Sequence, residues 1–197
     1  MFKKLSIAAA LIGLATGLSA QTIEPADTFK VDYYSNAHDP NFPDGTVRIT
    51  NVGTQTGSTA TPQGNLCAMV YVLTPDQQLA ECCGCAITPD GLVTLSVNND
   101  LTDNPLTPVV PTTGDIKIVS SNGTPSCNPS KPVPTAGIRA WATHIQANSG
   151  GYNFETETEF SDSSLSVGEL NHLANTCRSN QKNGSGFGIC SCGIETP

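Results

Sequence analysis

The chain has 197 residues, and 17 acidic side chains outnumber 9 basic ones for a formal net charge of −8. That balance repels nucleic acid and anionic membranes, so neither is expected as a partner of the whole chain. The length suits one domain, or two small ones, with a real buried core.

Residues 1–20 read as a secretory signal. "MFKK" is a basic start, "LSIAAALIGLATGL" is an apolar run of suitable length, and Leu18-Ser19-Ala20 offers the cleavage site before Gln21. Gly13, Thr16, Gly17 and Ser19 leave the run too short and too polar for a membrane span. The expectation is an exported, soluble protein, 21–197, forming a single β-rich domain with no membrane span after cleavage. Loss of Lys3 and Lys4 would leave seven basic residues against seventeen acidic ones, a charge of −10.

Most of the chain beyond residue 20 reads as short strands separated by turns. "TFKVDYY" (28–34) and "GTVRITNV" (45–52) alternate, with Phe29, Val31 and Tyr33 on one face of the first and Val47 and Ile49 on one face of the second. "LCAMVYVL" (66–73) is apolar on both faces, which predicts a central strand. "TPDQQ" (74–78) predicts a hairpin loop, and "TPDG" (88–91) a type I turn. Together they predict a meander of 66–73, 79–87 and 92–98. Residues 105–134 hold seven prolines around one strand, 115–121, and predict a long connection or a domain boundary. Further strands are predicted at 137–146 and 154–160. In the latter Glu155, Glu157 and Glu159 form a comb on the solvent face or along a charge-protected edge. Trp141, the only tryptophan, is expected in the core. One helix is predicted from Ser166 to about Gln181, opened by a Ser166/Glu169 capping box, with Leu170, Leu173, Ala174 and Cys177 as its buried stripe. The fold class expected is mainly β: an antiparallel sandwich or barrel with one C-terminal helix packed on it, stapled by disulfides.

The staples follow from the compartment. Cys67, Cys82, Cys83, Cys85, Cys127, Cys177, Cys190 and Cys192 are even in number and all lie beyond the signal. A hairpin about 74–78 places Cys67 opposite Cys85 and puts Cys67, Cys83 and Cys85 on one face, with Cys82 on the other. Cys67 then reaches Cys85 or Cys83, Cys82 seeks a partner such as Cys127, and Cys177 reaches Cys190 or Cys192. A zinc or Cu(I) thiolate site is the competing reading. However, Cys82-Cys83-Gly84-Cys85 is the only C-x2-C pair, and the chain has no second knuckle. A redox motif would need a helix N-terminus, and this one sits in a strand-and-turn pattern.

Other chemistry is sparse. His38, His144 and His172 have no nucleophile motif beside them, and nothing resembles a phosphate loop or dinucleotide fingerprint. Calcium is the one cofactor the loops suggest. "DPNFPDG" offers Asp39, Asn41 and Asp44 at nearly calcium-loop spacing, and "NNDLTDN" offers Asn99, Asp100 and Asp103. Both are also ordinary Asx turns. Residues 66–101, "LCAMVYVLTPDQQLAECCGCAITPDGLVTLSVNNDL", resemble a stretch of uncharacterised secreted cysteine-rich bacterial proteins; the resemblance implies export and no activity.

These features point to a secreted, non-catalytic structural or adhesive protein. It would assemble into filaments or matrix by strand addition, with the segment "QTIEPADTFKVDYY" as a donor strand. Its partners would be copies of itself or cell-surface and matrix components. The competing expectations are a soluble extracellular ligand- or calcium-binding module, and a secreted hydrolase whose triad is spread along the chain.

Overall fold

The computed structural model describes residues 27–54, 64–123, 125–147 and 150–193; residues 1–26, the expected signal among them, lie outside them. The described residues form nine strands and one α-helix. In chain order they are β1 (Phe29–Tyr34), β2 (Thr46–Asn51), β3 (Leu66–Leu73), β4 (Leu79–Ile87), β5 (Leu92–Ser96), β6 (Gly114–Asn122), β7 (Ile138–Ala147), β8 (Asn153–Glu159), β9 (Ser161–Asp162) and α1 (Val167–Lys182). Two antiparallel sheets form, in the orders β4-β3-β6-β1-β9 and β5-β2-β7-β8.

Alternation builds the layers. Leu66, Ala68, Val70 and Val72 of β3 meet Val47, Ile49, Leu95, Ala140 and Ala142 of the other sheet in one apolar cluster, so the sheets pack face to face. The opposite face of β3 presents Cys67, Met69, Tyr71 and Leu73 to Leu165, Leu173 and Cys177. The helix therefore covers the outside of the five-stranded sheet. This is why β3 reads apolar on both faces: all eight of its residues are buried.

The meander is corrected. β4 pairs with β3, but β5 pairs with β2 in the second sheet. The turn between β4 and β5 carries the chain from one sheet to the other. Asp90 has φ 61° there, and the Gly91 amide donates to Thr88 O, so the turn is type II rather than type I. The proline-rich connection holds β6, which lies between β3 and β1 within one sheet. Trp141 is corrected as well: it sits half-buried on the outward face, opposite Arg48, because the alternate residues Ala140 and Ala142 point inward.

The hairpin register is also corrected. Leu73 faces Leu79 as expected, but Val72 then faces Glu81, leaving Ala80 as a β-bulge. The extra residue gives its carbonyl to the Leu106 amide at 3.0 Å. One residue of slip moves Cys67 to the other face. Cys67 now faces Ala86, and Cys83 and Cys85 face Val70 and Ala68.

The disulfide map is a consequence of that slip. On the helix side, Cys67 joins Cys127 and Cys82 joins Cys177; on the inner side, Cys83 joins Cys190 and Cys85 joins Cys192. The expected separation of Cys82 from Cys83 and Cys85 holds, while the expected partners of Cys67, Cys82 and Cys177 do not. Gly84 lies between them for a steric reason: a Cβ there would come within 2.3 Å of Cys127 O.

At the start of α1, Ser166 Oγ accepts from the Glu169 amide at 3.1 Å. The Glu169 carboxylate does not return to the cap; it pairs with Lys117 of β6 at 2.7 Å. Ser166→Ala is expected to cost about 1 kcal/mol of stability, seen as a lower urea midpoint with an unchanged slope.

Candidate functional site

In the loops expected to hold calcium, the carboxylates accept hydrogen bonds from neighbouring groups. Asp39 Oδ1 accepts from the Asn41 amide and from Asn41 Nδ2, both at 2.9 Å. The structure does bring Asp44 and Asp100 together, around Ser96. Asp44 accepts from Ser96 Oγ and the Asn98 amide; Asp100 accepts from the Ser96 amide and from Ser191 Oγ. Ser96 Oγ in turn accepts from the Asn99 amide and caps the one-turn π-helix Val97–Leu101. Asp103 stands apart, close enough to Glu81 to disfavour its ionisation. Among the described residues no three carboxylates converge. The only metal-like grouping there is Cys83, Cys85 and Cys192, whose sulfurs lie within 4.8 Å of one another. Those sulfurs are committed to the two inner disulfides, which stack because Cys83 and Cys85 share a strand face.

Two of the three histidines make contacts within the fold. His38 Nε2 lies 2.8 Å from Thr102 Oγ1, but that hydroxyl donates to Val97 O at 2.6 Å. The imidazole must therefore donate to the threonine, the reverse of what a general base does. Thr102 is also fully buried. His144, from the inner face of β7, reaches the Asp32 carboxylate at 3.3 Å and stacks on the Tyr33 ring at 4.2 Å between centroids. His172 is exposed on α1.

One titratable group stands out that sequence reading passed over. Glu81 on β4 is fully buried beside the bulge; its Oε1 accepts from the Asn104 amide at 2.9 Å, and its Oε2 has no partner. Burial pushes its carboxyl up to about 8, against a downward pull from the Asn104 hydrogen bond, with Asp103 pushing upward. The only signal was a lone charge inside an apolar, cysteine-rich run.

The sheet edges differ sharply. On the β4 edge, the Cys82 amide donates to Gly188 O at 3.1 Å and the Cys190 amide donates to Cys82 O at 3.3 Å. The C-terminal strap that carries Cys190 and Cys192 thus caps β4, and Gly193 lies against Thr94 O of β5. β9 shields two residues of β1. Lys30, buried on β1, pairs with Asp162 of β9, and Arg139 of β7 binds Asp27, tying the two sheets together at that end. The Arg139 guanidinium holds the Asp27 carboxyl below its usual range.

Among the described residues β8 has no such cover. It pairs with β7 alone among the described strands, and all seven of its residues are exposed. The Phe160 amide donates to Ala140 O, which fixes the phase of the ladder. By the two-residue period, Phe154, Thr156 and Thr158 aim their amides and carbonyls at β7, and Glu155, Glu157 and Glu159 aim theirs outward. The glutamates' side chains lie on the outward face of the sheet, where Glu157 meets Arg48 at 2.7 Å.

Comparison with family models, with curated proteins and with solved structures finds no match. No described helix is long and apolar enough to cross a membrane, and that fact and four disulfides are compatible with an oxidising compartment.

Proposed function

We propose that this protein is an extracellular structural component that associates with copies of itself along β8. The observation that carries the reading is the seven-residue edge of β8, open among the described residues, in a chain whose β4 edge is capped by a disulfide-anchored strap. An uncapped edge is a template for another strand. Two β8 edges related by a two-fold axis would join their four-stranded sheets into one, which closes a dimer and not a fibre. The donor is then β8 rather than the N-terminal segment, since Phe29–Tyr34 already fills its own sheet between β6 and β9.

The glutamate comb sets the condition. Pairing two combs brings like charges opposite each other, which opposes association. A divalent cation would relieve that repulsion, giving calcium a place at the seam. Sedimentation of the mature protein tests this directly. Calcium is expected to shift monomer toward dimer, and Glu155→Gln/Glu157→Gln/Glu159→Gln is expected to dimerise without calcium. Glu155→Pro removes an outward amide without breaking a bond to β7, so it should stay monomeric at every calcium concentration. A wild type and a triple variant that both remain monomeric at high concentration sink the reading.

A further inference from the structure

The cations of this acidic chain are unevenly placed. Seven lysines and arginines lie among the described residues. Four are paired with carboxylates: Lys30 with Asp162, Arg48 with Glu157, Lys117 with Glu169, and Arg139 with Asp27. The remaining three, Lys131, Arg178 and Lys182, have no carboxylate partner there, and all three line one pocket of about 420 Å³. Asn128, Ser130 and Gln181 complete its wall, so no carboxylate lines it although the chain carries 17.

The pocket is held rigidly. One wall is the last two turns of α1, fixed to β4 by Cys82–Cys177. The other is the 127–131 loop, fixed to β3 by Cys67–Cys127 and by Tyr71 Oη donating to Pro129 O at 2.7 Å. The walls are joined across the gap. Arg178 Nη2 donates to Ser130 O at 2.8 Å, and Ser130 Oγ donates to Gln181 Oε1 at 2.5 Å. Arg178 is thereby oriented before any ligand arrives, while the exposed ammonium groups of Lys131 and Lys182 make no bond within the described protein.

A helix C-terminus attracts cations by itself, and it carries about half a negative charge. That explains Lys182 and helps explain Arg178. It does not explain Lys131, which comes from a loop on the other wall, and three full positive charges outweigh half a negative one. The overall acidity of the chain does not cancel them either, because screening limits its reach to about 8 Å at physiological salt.

From this cluster we infer an anion site for a tetrahedral oxyanion, a phosphate or sulfate group, either free or carried on a saccharide. Ammonium and guanidinium donors converging from two walls suit several oxygens around one centre. The cavity is larger than a bare oxyanion and has room for an attached sugar ring. It lies on the helix layer, whereas β8 belongs to the other sheet, so the site stays open whether or not the protein assembles.

Inorganic phosphate and immobilised dextran sulfate are the probes. At matched ionic strength, phosphate at about tenfold its Kd should raise the unfolding midpoint by about 3 °C relative to chloride. Lys131→Gln/Lys182→Gln removes two ammonium groups that hold nothing in the fold, and should abolish both that rise and retention on dextran sulfate. Retention without a phosphate response places the oxyanion on a polymer; a phosphate response without retention makes it a free small ion. An equal response in the double variant overturns the site, as does no response to either probe. A double variant that instead changes the sedimentation of the unliganded protein, with no phosphate response in the wild type, overturns it in favour of an acidic protein surface. Glu155→Pro should leave the phosphate response intact, which separates this site from assembly at β8.

Discussion

Replacing Cys82 and Cys177 together by alanine is expected to lower the free energy of unfolding by about 4 kcal/mol and to undock α1. The disulfide closes a loop of 95 residues. Loop-closure entropy for a bridge of that span is about 4–5 kcal/mol, with measured losses of about 2–5. Few other contacts replace it. The helix buries Leu173, Ala174, Cys177 and Asn180, and the rest of its surface is partly or fully exposed. Both sulfurs are buried, so alanine also leaves a small void on the Met69–Leu173 side of the sheet. Against a typical total of about 5–15 kcal/mol, such a loss is a large fraction. Urea unfolding followed by fluorescence and by helical circular dichroism tests the claim. The helical signal should be lost before the sheet signal in the variant and together with it in the wild type. Coincident transitions at an unchanged midpoint would refute it. The inner bridge Cys83–Cys190 should behave differently. Removing it together with Cys85–Cys192 frees the strap from β4, so the expected loss is of edge protection, read as aggregation of a still-helical protein.

The strands were legible where alternation or double-sided burial wrote them plainly: β2, β3, β6 and β7 fall within one or two residues of expectation. α1 was legible because Ser166, Glu169 and the stripe through Cys177 agree with one another. What failed was non-local. Ala80 looks like any strand residue, yet its carbonyl is taken by the Leu106 amide 26 positions further on, and the resulting bulge inverts the face of Cys67. A one-residue slip was enough to misassign three cysteine partners, although the set of paired cysteines and the two-faced division of ECCGC were correct. β5 crossed to the other sheet because a type II turn and a type I turn are written with the same Thr-Pro-Asp-Gly letters, and sheet membership depends on β2. The open β8 edge was visible only as a glutamate comb. Lys131, Arg178 and Lys182 could not be grouped at all from their spacing, since a disulfide on each wall brings them together.

The stability of the wild type should fall as pH rises from about 4.5 to about 8, and Glu81→Gln should remove most of that fall. Glu81 ionises near 4.5 in an unfolded chain and near 8 in the fold, because burial disfavours the charged carboxylate. Between those values the folded state holds a proton that the unfolded state has released. Folding therefore binds a proton, and stability is full below about 4.5 and declines through about 8. The span corresponds to about 5 kcal/mol at 1.36 kcal/mol for each tenfold change, and the side chain is fully buried. Other carboxylates pull the opposite way. Asp27, whose carboxyl is held below its usual range by Arg139, is stabilising above its unfolded value and loses that contribution in acid. The difference between wild type and Glu81→Gln isolates Glu81 from such terms. Glutamine keeps an oxygen for the Asn104 amide and cannot ionise. The structural route by which an ionised Glu81 would regain water runs through the strap. Asn104 donates to the carbonyls of Gly186 and Ile189 and accepts from the Gly188 amide, so the group that holds Glu81 also holds the cap on β4. Amide protection at Cys82, Gly188 and Cys190 is accordingly expected to drop in the wild type as pH passes about 8 and to persist in Glu81→Gln. Equal pH profiles in the two proteins would mean that Glu81 ionises at its ordinary value despite its burial.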